Sequence, residues 1–218
     1  KGIPYISESI NIFRDIQILS YSGGKLHIPY VNTNKGVELI REAKKRNLDI
    51  TASTSLAHVT FSDKDIANFN TNLKIIPPLR SEIDSKSIKE ALVDGTIDYL
   101  TSMHEPIDID NKKVVFDLAT PGSIGLESVF GIMCNNFTLE KTIDILTRNK
   151  SIFEIEDHPI KIGSHADLTL FNPDKSYKFS EEHILSTSKN CAFISTKMKG
   201  IVYGSINNNN STLNKLWI

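Results

Sequence analysis

Between residues 8 and 22 the apolar side chains Ile10, Ile12, Phe13, Ile16, Ile18 and Leu19 recur at helical spacing, and Gly23-Gly24 closes the pattern. The spacing predicts a helix there. Residues 25–31 are a short apolar run fit for a strand. Asn32-Thr33-Asn34 then supplies a loop and a helix cap, and Val37, Leu39, Ile40 and Ala43 mark a second helix. The unit recurs: 49–54 reads as strand, 62–69 as a short helix opened by Ser62-Asp63, 85–93 as a helix ending at Gly95, and 96–101 as the next strand. A charged loop at 108–113 leads to helical stretches around 126–133 and 139–153.

Strands alternating with helices predict parallel βα units, in an open doubly wound sheet or a barrel. About three such strands are visible, and a closed barrel of this kind needs eight. A barrel reading therefore places more than half of the barrel outside this chain. From residue 160 the texture changes to β, with short extended candidates at 166–171, 177–179, 191–194 and 201–205. The run from Asn207 to Asn210 is read as a turn.

With 25 basic and 26 acidic side chains among 218 residues, the net charge of -1 lacks the concentrated basic face of a nucleic-acid binder. Cys134 and Cys191 form no CxxC pair, so a disulfide framework or a cysteine zinc site is not expected. No stretch approaches the ~20 apolar residues of a membrane span, and the first residues do not read as a signal peptide. A cytoplasmic setting is the expectation, and the missing initiator methionine suggests a fragment.

Five segments in order carry a family resemblance: Gly2-Ile3-Pro4 with Ser7-Glu8, residues 25–33, residues 74–80 ending in Pro77-Pro78-Leu79-Arg80, residues 95–106, and Gly-Ser-His-Ala-Asp-Leu at 163–168. Together with Ser188-Lys189-Asn190 and Phe193 they resemble dihydroorotase and its relatives among the cyclic amidohydrolases, over nearly the whole chain. The resemblance implies an α/β fold: the second half of a metal-dependent TIM barrel, with strands six to eight and their helices over 1–155, and a C-terminal module over 156–218 that belongs to a composite β-sandwich.

The resemblance also exposes substitutions. The family's last barrel strand ends in Thr-Asp-His-Ala-Pro-His, whose aspartate is metal ligand and proton acceptor, whereas Met103 stands at that position here and Ile107 replaces a substrate-contacting histidine. A thioether accepts no proton and is a poor ligand for a zinc that activates water. Tyr30 stands where the family has a histidine ligand, Ile76 where it has a substrate-binding asparagine, and Pro121-Gly122 where it has Phe-Gly, so only the glycine is kept for substrate. Ser53 and Leu56-Ala57-His58 stand where Glu and Pro-His-His are usual. No intact catalytic set and no metal ligand is expected in this chain; zinc is expected only if the family chemistry is retained.

His104 is the remaining acid-base candidate, with Glu105 beside it, though a structural role at the strand end is favoured. His27 is expected to be a satisfied core histidine, and His58, His158, His165 and His183 lack ligand spacing. Arg80 and Glu127 are expected to form a buried pair. The basic helix with Arg41, Lys44, Lys45 and Arg46 is read as a solvated face balanced by Glu38 and Glu42. The expected function is that of a dihydroorotase-like, catalytically impaired homologue with a structural or partner-binding role, in a homo-oligomer or with aspartate transcarbamoylase. The alternative is an active zinc-dependent hydrolase of dihydroorotate or of an allantoin- or hydantoin-type cyclic amide.

Overall fold

A computed structural model describes residues 2–156 and 158–214. Contacts divide it into two compact units, one running up to Leu126 together with Ser186–Ala192, the other Glu127–Leu185 together with the chain from Phe193.

The first unit is built on βα repeats. Its elements are α1 (Ile6–Ser22), β1 (Leu26–Ile28), α2 (Asn34–Lys45), β2 (Ile50–Ser55), α3 (Leu56–Thr60), α4 (Glu82–Asp94) and β3 (Tyr99–Thr101). The strands pair in the order β1-β2-β3, all parallel, with Leu26 opposite Ile50 and Ser53 opposite Tyr99. Alternation along the pleat splits the sheet into two faces. Ile28, Ile50, Ala52 and Thr54 are buried on one, while the other carries His27, Thr51, Ser53 and Tyr99.

Local chemistry sets the helix ends. Thr33 caps α2 by accepting from the Gly36 N–H at 3.0 Å, Ser81 and Asp84 form a reciprocal box at the start of α4, and Gly95 closes α4 with φ 82°. The basic face of α2 is not simply solvated. Arg41 pairs with Asp94 at 2.8 Å and Lys44 with Asp98 at 2.8 Å, so α2 is tied to the last residue of α4 and to the approach to β3. Asp98 also accepts from the Ala52 N–H at 2.7 Å, which fixes β2 as well.

On its inner side α1 packs Ile12, Ile16 and Leu19 beside α2. At that contact Gly36 has no room for a side chain: a Cβ would run into the Glu8 carboxylate and lie 3.0 Å from Ile12 Cδ1. Alanine normally favours a helix over glycine by ~1 kcal/mol, but here overpacking dominates. Gly36→Ala is expected to lower unfolding free energy by ~1–3 kcal/mol, read as a reduced urea midpoint; an unchanged or raised midpoint would contradict the packing account.

The second unit contains α5 (Val129–Asn136), α6 (Leu139–Thr147) and an antiparallel sheet of β4 (Asp167–Lys178), β5 (Lys197–Asn207) and β6 (Asn210–Leu213) in that order. The register of β4 shifts between Asn172 and Ser176, around Pro173, which has no N–H to give the ladder. Phe179, Phe193, Met198, Ile201, Ile132 and Met133 are buried here. The asparagine run makes the β5–β6 hairpin, with Asn208 at φ 51°, a left-handed conformation asparagine tolerates better than most residues. Residues 191–194, expected as strand, are not one; Cys191 makes a single parallel bridge with Ile124. No helix among the described residues is long and apolar enough to cross a membrane.

Candidate functional site at the ends of the parallel strands

Two non-glycine residues stand in the left-handed region at matching places. Tyr30 (φ 53°) lies two residues past the end of β1 and Met103 (φ 50°) two residues past the end of β3. Such backbone costs on the order of 1–3 kcal/mol per residue and persists only where the surroundings over-determine it.

The surroundings of Tyr30 do so. The Val31 N–H donates to the Ser53 carbonyl at 2.8 Å and the Val31 carbonyl accepts from Thr54 Oγ1 at 2.8 Å, so β2 grips the chain just beyond Tyr30. The next two residues are held by Glu8, which accepts from the Thr33 hydroxyl at 2.7 Å and from the backbone N–H groups of Thr33 and Asn32 at 3.1 and 3.2 Å. Burial raises the Glu8 pKa, opposed by these hydrogen bonds and by the nearby Arg80 guanidinium.

Around Met103, which is itself buried, the clasp is Asn190. Its amide nitrogen donates to the carbonyls of Glu105 (2.9 Å) and Gly122 (3.3 Å), and its oxygen accepts from the Ile107 N–H at 3.1 Å. Gly122, at φ 138°, adds an N–H to the Lys74 carbonyl at 2.8 Å and abuts Ile107 and Glu105 so closely that a Cβ would lie 2.9 Å from Ile107 Cγ1. Buried Lys112 ties the same loop by donating to the carbonyls of Thr71 and Thr120 at 2.7 and 2.9 Å; burial, reinforced by Lys74, brings its pKa down to about 8.

The polar face of the sheet carries its own network. His27 Nδ1 lies 2.9 Å from Thr51 Oγ1, and its Nε2 is 3.1 Å from Ser53 Oγ and 2.9 Å from the Tyr99 hydroxyl, with the His27 and Tyr99 rings stacked. Burial lowers the His27 pKa, opposed by the Asp98 carboxylate. His58 is fully enclosed between Ser55 Oγ (2.8 Å from Nδ1) and the Pro77 carbonyl (2.9 Å from Nε2). A carbonyl only accepts, so Nε2 carries the proton and Nδ1 takes the Ser55 hydrogen. Burial pushes the His58 pKa down to about 4.

Of the residues singled out from the sequence, Tyr30 and Ile76 line one cavity of about 330 Å³, whose polar groups include Glu8, Asp15, His27 and Arg80. Glu105, Ile107 and Gly122 gather at the Asn190 clasp, and Met103 lies two residues before Glu105. His104 accepts from the Leu126 N–H through Nδ1 at 3.2 Å, which leaves that nitrogen no free lone pair for proton transfer. Arg80 donates to the carbonyls of Ile3 and Pro4, with Glu8 as the carboxylate it influences, while Glu127 accepts from the Leu185 N–H. In place of the expected Arg80–Glu127 pair, each bonds backbone groups far away in the sequence. His165 bonds Asn208 and His183 bonds Ser180. Sequence reasoning passed over Glu8 and Asn190 as functional supports, although both sit in the motif segments.

At the two positions that the resemblance assigns to metal ligands, the residues present do not suit zinc. A buried thioether at Met103 and a phenol at Tyr30 offer neither an imidazole nor a carboxylate, and among the described residues no three His, Cys, Asp or Glu side chains are placed to hold a metal ion.

No protein-family profile matches the chain. It is 39% identical over 208 residues to a dihydroorotase of Endomicrobium trichonymphae, covering 92% of this chain and 49% of that protein. A dihydroorotase of Caldanaerobacter subterraneus subsp. tengcongensis is 36% identical over 209 residues, at 93% and 48% coverage. Among solved structures, L-hydantoinase (dihydropyrimidinase) from Arthrobacter aurescens superposes with a TM-score of 0.86 at 22% identity, covering 97% of this chain and 50% of that one. Dihydropyrimidinase from Brevibacillus agri NCHU1002 gives 0.82 at 19% identity. The chain spans about half the length of the relatives it matches. These structures are TIM-barrel amidohydrolases, so the three parallel strands are part of such a barrel.

Proposed function

The chain belongs to the cyclic amidohydrolases, matching the C-terminal half of its dihydroorotase relatives, and from that premise we propose that it is a catalytically impaired, dihydroorotase-like protein of pyrimidine synthesis. Its role in this reading is structural, as a cytoplasmic partner of aspartate transcarbamoylase or of further copies of itself.

The observation that carries the reading is the pair of strand-end mounts. Tyr30 and Met103 keep a costly left-handed backbone at the positions where the family resemblance expects a histidine ligand and an aspartate, yet neither side chain can do that work. A tyrosine phenol ionises near pH ~10, so at neutral pH it is a poor stand-in for imidazole. Without that carboxylate the base expected at position 103 is missing, and general-base assistance alone is typically worth ~10²–10⁴ in rate. Ile76 and Ile107 add apolar surface where a carboxylated substrate needs partners, which leaves its polar groups unpaired.

The test is carbamoyl-aspartate cyclisation by the full-length protein with added zinc, alongside metal analysis and a parallel hydantoin substrate. The expected result is turnover at background and substoichiometric zinc, unchanged in Met103→Asp because Tyr30 and Ile76 remain. Stoichiometric zinc with zinc-dependent turnover on either substrate would establish the active hydrolase instead.

A further inference from the structure

Two histidines that the strand-end loops do not use meet in the second unit. Seven positions apart, His158 and His165 have no local ligand spacing, yet the fold sets their rings 5.5 Å apart between centroids, inclined at 58°. Both line a cavity of about 340 Å³ at the start of β4. Its charged lining is the Glu156 and Asp167 carboxylates, with no lysine or arginine among the described residues. All of these side chains belong to the one unit.

The β5–β6 turn orients His165. Its Nδ1 lies 2.9 Å from Asn208 Oδ1, and the Asn208 amide nitrogen donates to Asn207 Oδ1 at 3.4 Å, so the oxygen is the end that faces the ring. A carbonyl oxygen only accepts; Nδ1 therefore carries the proton and Nε2 keeps its lone pair. Asn208 is itself anchored, its N–H donating to the Ala166 carbonyl at 2.7 Å while Asn207 pairs opposite Asp167. A metal-bound histidine is commonly held in this way, one N–H given to a fixed oxygen and the other nitrogen left to the ion. His158 makes no hydrogen bond among the described residues, so its ring also has an uncommitted lone pair.

We propose that His158 and His165 form a two-imidazole site for a late divalent transition-metal ion, with water completing its shell. Two imidazoles bound to one ion at ~2.0–2.1 Å have ring centroids about 4.5–5.5 Å apart, so the observed separation suits sharing. Among the described residues no third His, Cys, Asp or Glu is placed to complete a cage, which leaves the other positions to solvent. Nitrogen donors of this kind hold copper(II) more tightly than nickel(II) or zinc(II), and the two carboxylates add a field that draws cations in. Binding ties the irregular segment that carries His158 to the foot of β4. Neither histidine stands at a strand end of the parallel sheet, so the inference is independent of the barrel chemistry.

The test titrates the untagged protein with copper(II), nickel(II) and zinc(II) chloride by calorimetry, and records the paramagnetic resonance spectrum of the copper form. The expected result is one copper(II) per chain with two imidazole nitrogen ligands, bound more tightly than nickel or zinc, and a melting temperature raised by the metal. His158→Ala and His165→Ala are each expected to weaken binding at least about tenfold and to abolish the rise in melting temperature, with little change in the metal-free protein. Asn208→Gly, which keeps the left-handed turn and both rings but releases His165, is expected to cost about tenfold. His183→Gln, in the same unit, is expected to leave binding unchanged. Binding that survives both histidine substitutions, a copper spectrum with a single nitrogen ligand, or occupancy only at millimolar metal would overturn the proposal.

Discussion

Asn190→Ala is expected to lower unfolding free energy by ~3–5 kcal/mol. The side chain is buried and joins three backbone groups from two separated stretches, Glu105, Ile107 and Gly122. Truncation removes three hydrogen bonds and strands their partners away from water, at ~1–3 kcal/mol for each group left unpaired. Asn190→Asp keeps the acceptor for Ile107 but turns two donor contacts into carboxylate facing carbonyl, so it is expected to be at least as damaging. Urea unfolding followed by circular dichroism reads both; a loss below ~1 kcal/mol in each variant would show that Asn190 is not the clasp.

Acid is expected to destabilise the fold from about pH 6.5 downward. His58 has a folded-state pKa near 4 against an ordinary value of 6.5. The unfolded chain therefore takes up a proton that the native ring refuses. The contribution is present in full above pH 6.5 and is lost as pH falls toward 4, about 3 kcal/mol in total at ~1.4 kcal/mol per pKa unit. Glu8 works the other way: its raised pKa means that protonation below that value favours the folded state. His27, whose pKa is also lowered, adds to the His58 loss, while Glu8 offsets part of it. In His58→Gln, which can still donate to the Pro77 carbonyl, the slope of stability between pH 6.5 and 4.5 is expected to flatten or reverse. An unchanged slope would assign the acid sensitivity to other groups.

The strands and long helices were legible because their signals are local. The 3.6-residue recurrence in α1 and the glycine stops at Gly23 and Gly95 need no knowledge of the rest of the fold. Signals that failed were those whose meaning lies in distant partners. Arg41 and Lys44 look balanced by Glu38 and Glu42, yet they find Asp94 and Asp98 some fifty positions on. The run at 191–194 has strand composition but is spent on a single bridge at Cys191 and on buried Phe193. Of the candidate site, the substituted positions could be named from motif order alone. The left-handed backbone at Tyr30 and Met103 could not, because neither residue type announces it.

The brief return of the chain at Ser186–Ala192 to the first unit has a consequence for how such a gene can decay. A frameshift or stop codon ahead of β4, which would remove the whole β-rich sheet, also removes Asn190, and with it the fastening of the loops after β3. The tail cannot be shed by itself, so selection acting on the βα half alone preserves the reading frame at least to residue 190, whatever becomes of the strands beyond it.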